Sequence, residues 1–157
     1  MLSDDYWMEI ALNEAQQAYI EDEIPVGAVL VKDDSLVLKN HNRTRQCNNP
    51  LAHAESLILQ EIQKTEKFLT EYTLYVTLEP CIMCSGTIIL SKLKKLVFGT
   101  YDSKAGAVGS IYNVLLDKHF NHHPEIISGI KRSECSQILK DFFISKRKNK
   151  NPQILNK

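Results

Sequence analysis

Apolar residues near the start of the chain recur at helical spacing. Trp7, Ile10, Ala11, Ala15 and Ala18 fall on one face, which predicts an amphipathic helix laid on a core. Ser3 stands where a cap is wanted, Asp4 and Asp5 occupy the acidic first turn, and Pro25 follows the end. The period then changes. Val26 to Val31 is a continuous apolar run, the pattern of a central strand covered on both faces. Lys32-Asp33-Asp34-Ser35 reads as a turn, and Leu36-Val37-Leu38 as the returning hairpin strand. A polar stretch from Asn40 to Pro50 leads into a helix predicted from about Leu51 to Phe68.

Thr73-Leu74-Tyr75-Val76-Thr77-Leu78 is rich in β-branched and aromatic residues and predicts a strand. Pro80 suits the first turn of the next helix, which carries two cysteines. Leu96-Val97-Phe98 predicts another strand, followed by a glycine-containing loop from Gly99 to Gly109. A short helix is expected over Ile111 to Leu116, and a weaker strand over Glu125 to Ile127. The last helix, about Arg132 to Arg147, would bury Ile138, Leu139, Phe142 and Phe143. Alternating strands and helices predict a layered α/β domain. With no internal repeat or linker, residues 1–157 read as one domain, with a basic tail over 148–157 expected to fray.

Composition narrows this picture. A chain of 157 residues, 43% apolar and 24% charged, fits one globular domain with a sizeable core. No apolar run approaches membrane-spanning length, and the acidic start Met1-Leu2-Ser3-Asp4-Asp5 is unlike a secretory signal. The expected compartment is the cytoplasm. The net charge of zero hides a division: residues 1–79 hold 6 Lys/Arg against 14 Asp/Glu, and residues 80–157 hold 13 against 5, giving −8 and +8. Such asymmetry suggests a basic face for a polyanion; alternatively, the halves interleave and their charges cancel. Four cysteines, two of them in a C-x-x-C, point in the cytoplasm to metal or redox chemistry before disulfides.

His53-Ala54-Glu55 and Pro80-Cys81-Ile82-Met83-Cys84 carry the chemistry. His53, Cys81 and Cys84 make three protein ligands for zinc, and structural zinc sites usually close with four. A fourth position left to water or hydroxide suits catalysis, with Glu55 as the neighbouring general base. Cys81 and Cys84 are three apart, so both project from one helix face, in a first turn whose free amides favour thiolates. His53 and Glu55, only two apart, must meet the metal where the other helix begins and its geometry is irregular. Two facing strand-to-helix junctions would thus build a pocket at the carboxyl ends of strands. Cys47 and Cys135 lack motif partners and read as ordinary thiols. His41, His119 and His123 read as loop residues.

H-x-E followed by P-C-x-x-C is the signature shared by the zinc nucleobase deaminases. From Tyr6-Trp7-Met8 to Asp141-Phe142-Phe143 the chain resembles the bacterial tRNA-specific adenosine deaminases, within the cytidine deaminase-like superfamily. The resemblance includes Ile24-Pro25-Val26-Gly27-Ala28-Val29-Leu30-Val31, Asn42-Arg43, Ala52-His53-Ala54-Glu55, Thr73 to Cys81, Met83-Cys84, Val97-Phe98-Gly99, Asp102 to Ala107, Gly109-Ser110 and Asn121-His122. Leu51 stands where threonine is common and Ser85 where alanine is common, and the tail uses lysine more than arginine.

The resemblance implies a three-layer α/β/α fold with a five-stranded mixed sheet, and a homodimer in which each site is completed by the partner. It implies one zinc per subunit on His53, Cys81 and Cys84, with Glu55 moving protons. It assigns Asn42 to the target base, and Asp102 and Lys104 to a loop along the RNA. The implied reaction converts adenosine to inosine at the wobble position of a tRNA anticodon stem-loop. A deaminase of a free nucleobase, nucleoside or nucleotide would keep the zinc residues without needing the basic second half. A zinc-stabilised RNA-binding subunit would have no use for Glu55.

Overall fold

The computed structural model describes residues 1–150 of the chain. Ser3 caps the first helix, α1 (Asp4–Ile20), its hydroxyl accepting from the Tyr6 amide at 3.1 Å. Trp7, Met8, Ala11, Ala15 and Ala18 form the buried stripe. The alanines bring the helix backbone close to the first strand, β1 (Gly27–Lys32). A Cβ on Gly27 would lie 2.0 Å from the Ala11 carbonyl oxygen and 2.5 Å from the Ala15 nitrogen. Helix and strand therefore meet backbone to backbone, a contact only glycine permits.

β1 turns back into β2 (Ser35–His41) through Asp33 and Asp34, whose φ angles are 48° and 57°. Two left-handed central residues make the tight hairpin turn whose twist matches the flanking strands, and aspartate tolerates that conformation. β3 (Tyr72–Leu78) pairs antiparallel with β1 on its other side. β4 (Lys95–Thr100) and β5 (Glu125–Ser128) follow in parallel, giving the order β2-β1-β3-β4-β5.

Alternation along the strands feeds two cores. Leu30, Leu74, Leu96 and Phe98 meet Ile58, Leu59 and Ile88 from α2 (Ala54–Ile62) and α3 (Ile82–Leu90). Val29, Tyr75 and Val97 meet Trp7 and Met8 of α1 and Cys135 of α4 (Arg132–Lys150). This is the expected α/β/α sandwich around a five-stranded mixed sheet.

Several boundaries differ from the sequence expectation. α2 starts at Ala54 because the Leu51 amide is taken by Asn49 Oδ1 at 2.9 Å and the His53 amide by the Leu51 carbonyl at 2.8 Å, so residues 49–53 are turns. It ends at Ile62, well short of Phe68, since Leu69 leaves the helix axis to enter the core and donate its amide to Ser91 O at 2.7 Å. Pro80 lies one residue outside α3, where Cys81 is the cap. Only Val114–Leu116 of the expected short helix forms, as a 3-10 turn. α4 runs on through Lys150, so residues 148–150 are helical rather than frayed; the rest of the expected tail, 151–157, lies outside the described residues. The charge halves do interleave in part: Asp4 pairs with Lys95 at 3.2 Å, Glu9 with Lys131 at 3.1 Å, and Asp22 with Lys146.

The tight α1–β1 contact and one odd hydroxyl predict opposite effects on stability. Gly27→Ala should destabilise by about 1–3 kcal/mol through overpacking. Ser85 Oγ is buried in α3 and finds no partner among the described residues; Ser85→Ala should stabilise by about 1 kcal/mol. Urea unfolding of both variants checks this, and the same sign for the two would contradict it.

Candidate active site

Helices α2 and α3 begin at the same place. Their caps are His53 (φ −75°, ψ 155°) and Cys81 (φ −75°, ψ 177°), both extended and neither bonding its own helix through the side chain. Caps are ordinarily serine, threonine, aspartate or asparagine, whose oxygens accept from the free amides. Here the cap side chains turn to each other instead. His53 Nδ1 lies 3.5 Å from Cys81 Sγ and 3.8 Å from Cys84 Sγ, and the three ligand atoms lie within 4.8 Å of one another. Tetrahedral zinc with bonds of about 2.3 Å to sulfur and about 2.0 Å to nitrogen sets nitrogen–sulfur separations near 3.5 Å, so the set fits that ion.

Electrostatics agree with the geometry. Cys84 hydrogen-bonds to Cys81 and His53 does so from the other side, holding the Cys81 thiol at about 4. The same bond to Cys81 pushes Cys84 upward, and its hydrogen bond to Cys81 raises His53. The cluster thus carries a thiolate at Cys81, sustained by Cys84, by His53 and by the Cys84 backbone amide in the first turn of α3. Glu55, the second residue of α2, is 4% exposed, and burial pushes its carboxyl up to about 7.

His53, Cys81 and Glu55 line a cavity of about 420 Å³, while Cys84 is fully buried beside them. That volume is in the usual small-molecule range of roughly 300–1,000 Å³. Asn42, Asp102 and Lys104 line the same cavity, so the seven residues singled out from the sequence converge on one place. Asp102 is also used inwardly: its Oδ1 accepts from the amides of Lys104 at 3.0 Å and Ala105 at 3.3 Å. Ile24, Leu78, Leu139 and Phe143 add apolar walls, the last two from α4. Cys47 is exposed, Cys135 packs in the core under Gly99, and neither joins the cluster. His119 and His123 lie in the connection before β5, as expected, but His41 does not lie in a loop. It ends β2 and is 2% exposed, its ring nitrogens 2.8 Å from Glu14 Oε2 and 2.6 Å from Glu21 Oε2.

Comparison with known proteins decides the family. Residues 1–100 match the family described as the cytidine and deoxycytidylate deaminase zinc-binding region. The tRNA-specific adenosine deaminase of Bacillus subtilis (strain 168) is 41% identical over 152 residues, 96% of this chain and 94% of that protein. A solved structure from a study of A-to-I editing by tRNA:A34 deaminases at the wobble position of transfer RNA superposes with a TM-score of 0.81 at 39% identity, covering 85% of this chain and 99% of that one. The chain belongs to the tRNA-specific adenosine deaminase family. A guanine deaminase from Nitrosomonas europaea, at 22% identity and a TM-score of 0.78 over 90% of this chain and 85% of its own, shares the fold.

In this family member two carboxylates escaped the sequence reading. Glu79, at the end of β3 and 2% exposed, accepts from the amides of Asp102 at 3.0 Å, Val108 at 2.9 Å and Ser110 at 3.1 Å, and from the Ser110 hydroxyl. It thereby pins the loop that walls the cavity. Gly106 is required beside it, since a Cβ there would lie 2.3 Å from Glu79 Cδ. Glu23, 0% exposed, does the same for the loop that carries Asn42. The available signal was a charged residue beside an apolar run, after it for Glu79 and before it for Glu23, which gives no hint of its partners.

His53→Ala, Cys81→Ala and Cys84→Ala should each lose zinc in metal analysis of the purified protein, whereas Glu55→Ala, Cys47→Ser and Cys135→Ser should keep it. Loss of zinc from Cys47→Ser would mean a closed four-ligand site and rule out the open, catalytic arrangement.

Proposed function

We propose that the protein hydrolyses the 6-amino group of adenosine at the wobble position of a tRNA anticodon, leaving inosine and ammonia. The observation that carries this reading is a three-ligand metal set opening on a cavity with the Glu55 carboxyl in its wall, in a chain 41% identical to a tRNA-specific adenosine deaminase over nearly its whole length. Zinc on His53, Cys81 and Cys84, one per subunit with water or hydroxide as fourth ligand, would supply water acidified to near neutrality. Glu55 takes a proton from the attacking water on its carboxylate and delivers it to the ring nitrogen beside C6 as oxygen adds to that carbon. The carboxylate then carries the second proton to the departing amino group, which leaves as ammonia. A neutral Glu55 is tolerated in its buried position, which suits a group that must hold the proton between the two transfers.

The base reaches the cavity only if it is unstacked, and a single-stranded anticodon loop allows that at less cost than a duplex. We read Asn42 as the contact to the base, and the 102–110 loop with Lys104 as a contact to the flanking RNA. The placement of α4 supports an RNA path. Leu139 and Phe143 line the cavity, and Lys146, Arg147 and Lys150 follow on the same helical face. Lys146 is partly committed to Asp22, which leaves Arg147 and Lys150 as the stronger phosphate partners.

We further read residues 1–157 as a single catalytic domain that works as a homodimer in the cytoplasm. Ile82, Leu90, Tyr112 and Leu116, on α3 and the segment packed against it, are 58–80% exposed and supply an apolar surface for a second copy. No described helix is long and apolar enough to cross a membrane.

Inosine formation in whole tRNA against ammonia release from free adenosine tests the substrate. The tRNA should be strongly preferred, and Glu55→Ala should lower turnover by at least about 10²–10⁴-fold. Equal use of free adenosine would favour a small-molecule deaminase, and native turnover by Glu55→Ala would remove that residue from the chemistry. Binding of tRNA should weaken steeply with salt, and each true phosphate contact removed should flatten the log K against log salt slope by roughly 0.7–0.9. Arg147→Gln with Lys150→Gln should show this; an unchanged slope would reduce the α4 face to a solvated helix end.

A further inference from the structure

The C-terminal end of α1 breaks a local rule. Glu21, Asp22 and Glu23 follow one another where the helix dipole favours cations, and the last turn of α1 holds no basic residue. Two of the three acids are compensated. Glu21 faces His41 at 2.6 Å and Arg43 at 4.0 Å, and Asp22 pairs with Arg45 at 2.6 Å and with Lys146. Glu23 is the most deeply buried, at 0% exposure, yet forms no ion pair among the described residues. Burying a carboxylate without a cation is costly unless hydrogen bonds replace its water.

Its hydrogen bonds all come from one short segment. Glu23 Oε1 accepts from the Gln46 amide at 2.7 Å. Oε2 accepts from the Arg45 amide at 3.2 Å, the Thr44 hydroxyl at 3.4 Å and Asn42 Nδ2 at 3.2 Å. Asn42 Nδ2 donates its other hydrogen toward Thr44 Oγ1 at 3.4 Å. Both hydrogens of this amide are thus engaged by the Glu23–Thr44 pair. Its Oδ1 accepts nothing among the described residues and is the polar atom left over in a side chain that lines the cavity. An asparagine amide in isolation presents either atom by a half-turn of its last torsion. A carboxylate held against one end abolishes that choice, because an oxygen turned toward Glu23 would meet like charge.

We propose that Glu23 is a positioning residue of the deaminase site, fixing which end of the Asn42 amide faces the substrate base. The proposal rests on the reading of Asn42 as the base contact. Glu23 itself touches no reacting atom. It acts by holding a donor–acceptor pattern ready, so that binding does not have to select one amide orientation from two.

A double-mutant cycle on the zinc-loaded full chain, read as kcat/KM for inosine formation in tRNA, tests this. Asn42→Ala and Glu23→Gln, the latter placing an amide where four donors now find a carboxylate, should each lower kcat/KM, by up to about 100-fold. In the Asn42→Ala background, Glu23→Gln should cause little further loss, within about twofold, because its effect passes through an amide no longer present. Zinc content should be unchanged throughout, and any fall in thermal stability from Glu23→Gln should persist in the Asn42→Ala background apart from the share of the lost Asn42 hydrogen bond, because three of the four donors to Glu23 remain. Multiplicative losses in kcat/KM would overturn the proposal and leave Glu23 as a loop clamp. Native kcat/KM for Asn42→Ala would instead overturn the reading of Asn42. Should Glu23→Gln fail to fold, Glu23→Asp, which keeps the charge and draws it back by one methylene, completes the same cycle with the same deciding outcomes.

Discussion

Two helices that start at one point dominate the active end of the molecule. Each N-terminus carries roughly half a positive charge, so α2 and α3 would repel each other there unless something anionic lay between them. The Cys81 thiolate is that anion, held by the hydrogen bond from Cys84, and the imidazole of His53 completes its surroundings. The sheet makes the meeting possible. β1 runs antiparallel between β2 and β3, so the chain leaves both outer strands at the same edge and enters α2 and α3 from the same side. The apolar faces of the two helices, with Ile58, Leu59 and Ile88, anchor them to a common core. Their orientation is therefore set by burial, and the charge problem at their tips is solved locally by the residues that do chemistry.

The loops around this point are ordered by buried acids rather than by secondary structure. Loop amides need partners once removed from water, and Glu23 and Glu79 each provide several from a single carboxylate. One acid per wall keeps the walls independent of each other, since Glu23 serves residues 42–46 and Glu79 serves residues 102–110. Small residues complete the device: Gly106 lets the loop lie on Glu79, as Gly27 lets α1 lie on β1.

Much of this was legible in the chain itself. The strands announce themselves through Val26 to Val31 and Thr73 to Leu78, and the metal set through the spacing of His53, Cys81 and Cys84, because burial on two faces and tetrahedral coordination both impose strict patterns. The irregular start of α2, required by His53 and Glu55 lying two apart, appears as an extended cap residue. What escaped depends on contacts between distant segments. The end of α2 at Ile62 is decided by Leu69 reaching Ser91, and the burial of His41 by Glu14 of α1 and by Glu21 at that helix's C-cap, 27 and 20 residues away. Glu23 and Glu79 look in sequence like ordinary surface acids. Their partners are mostly backbone amides, which every residue possesses and which leave no compositional trace.

The wall formed by Leu139 and Phe143 belongs to α4, the last helix of the described chain. Every candidate metal ligand is present by residue 84, and every other residue of the cavity by residue 105. The candidate metal half of the site is thus written in the first part of the chain and its closing wall in the last helix. The span matched by the deaminase zinc-binding family, residues 1–100, ends near that divide. The candidate ion site and the wall nearest the proposed RNA path are in this way separated along the chain.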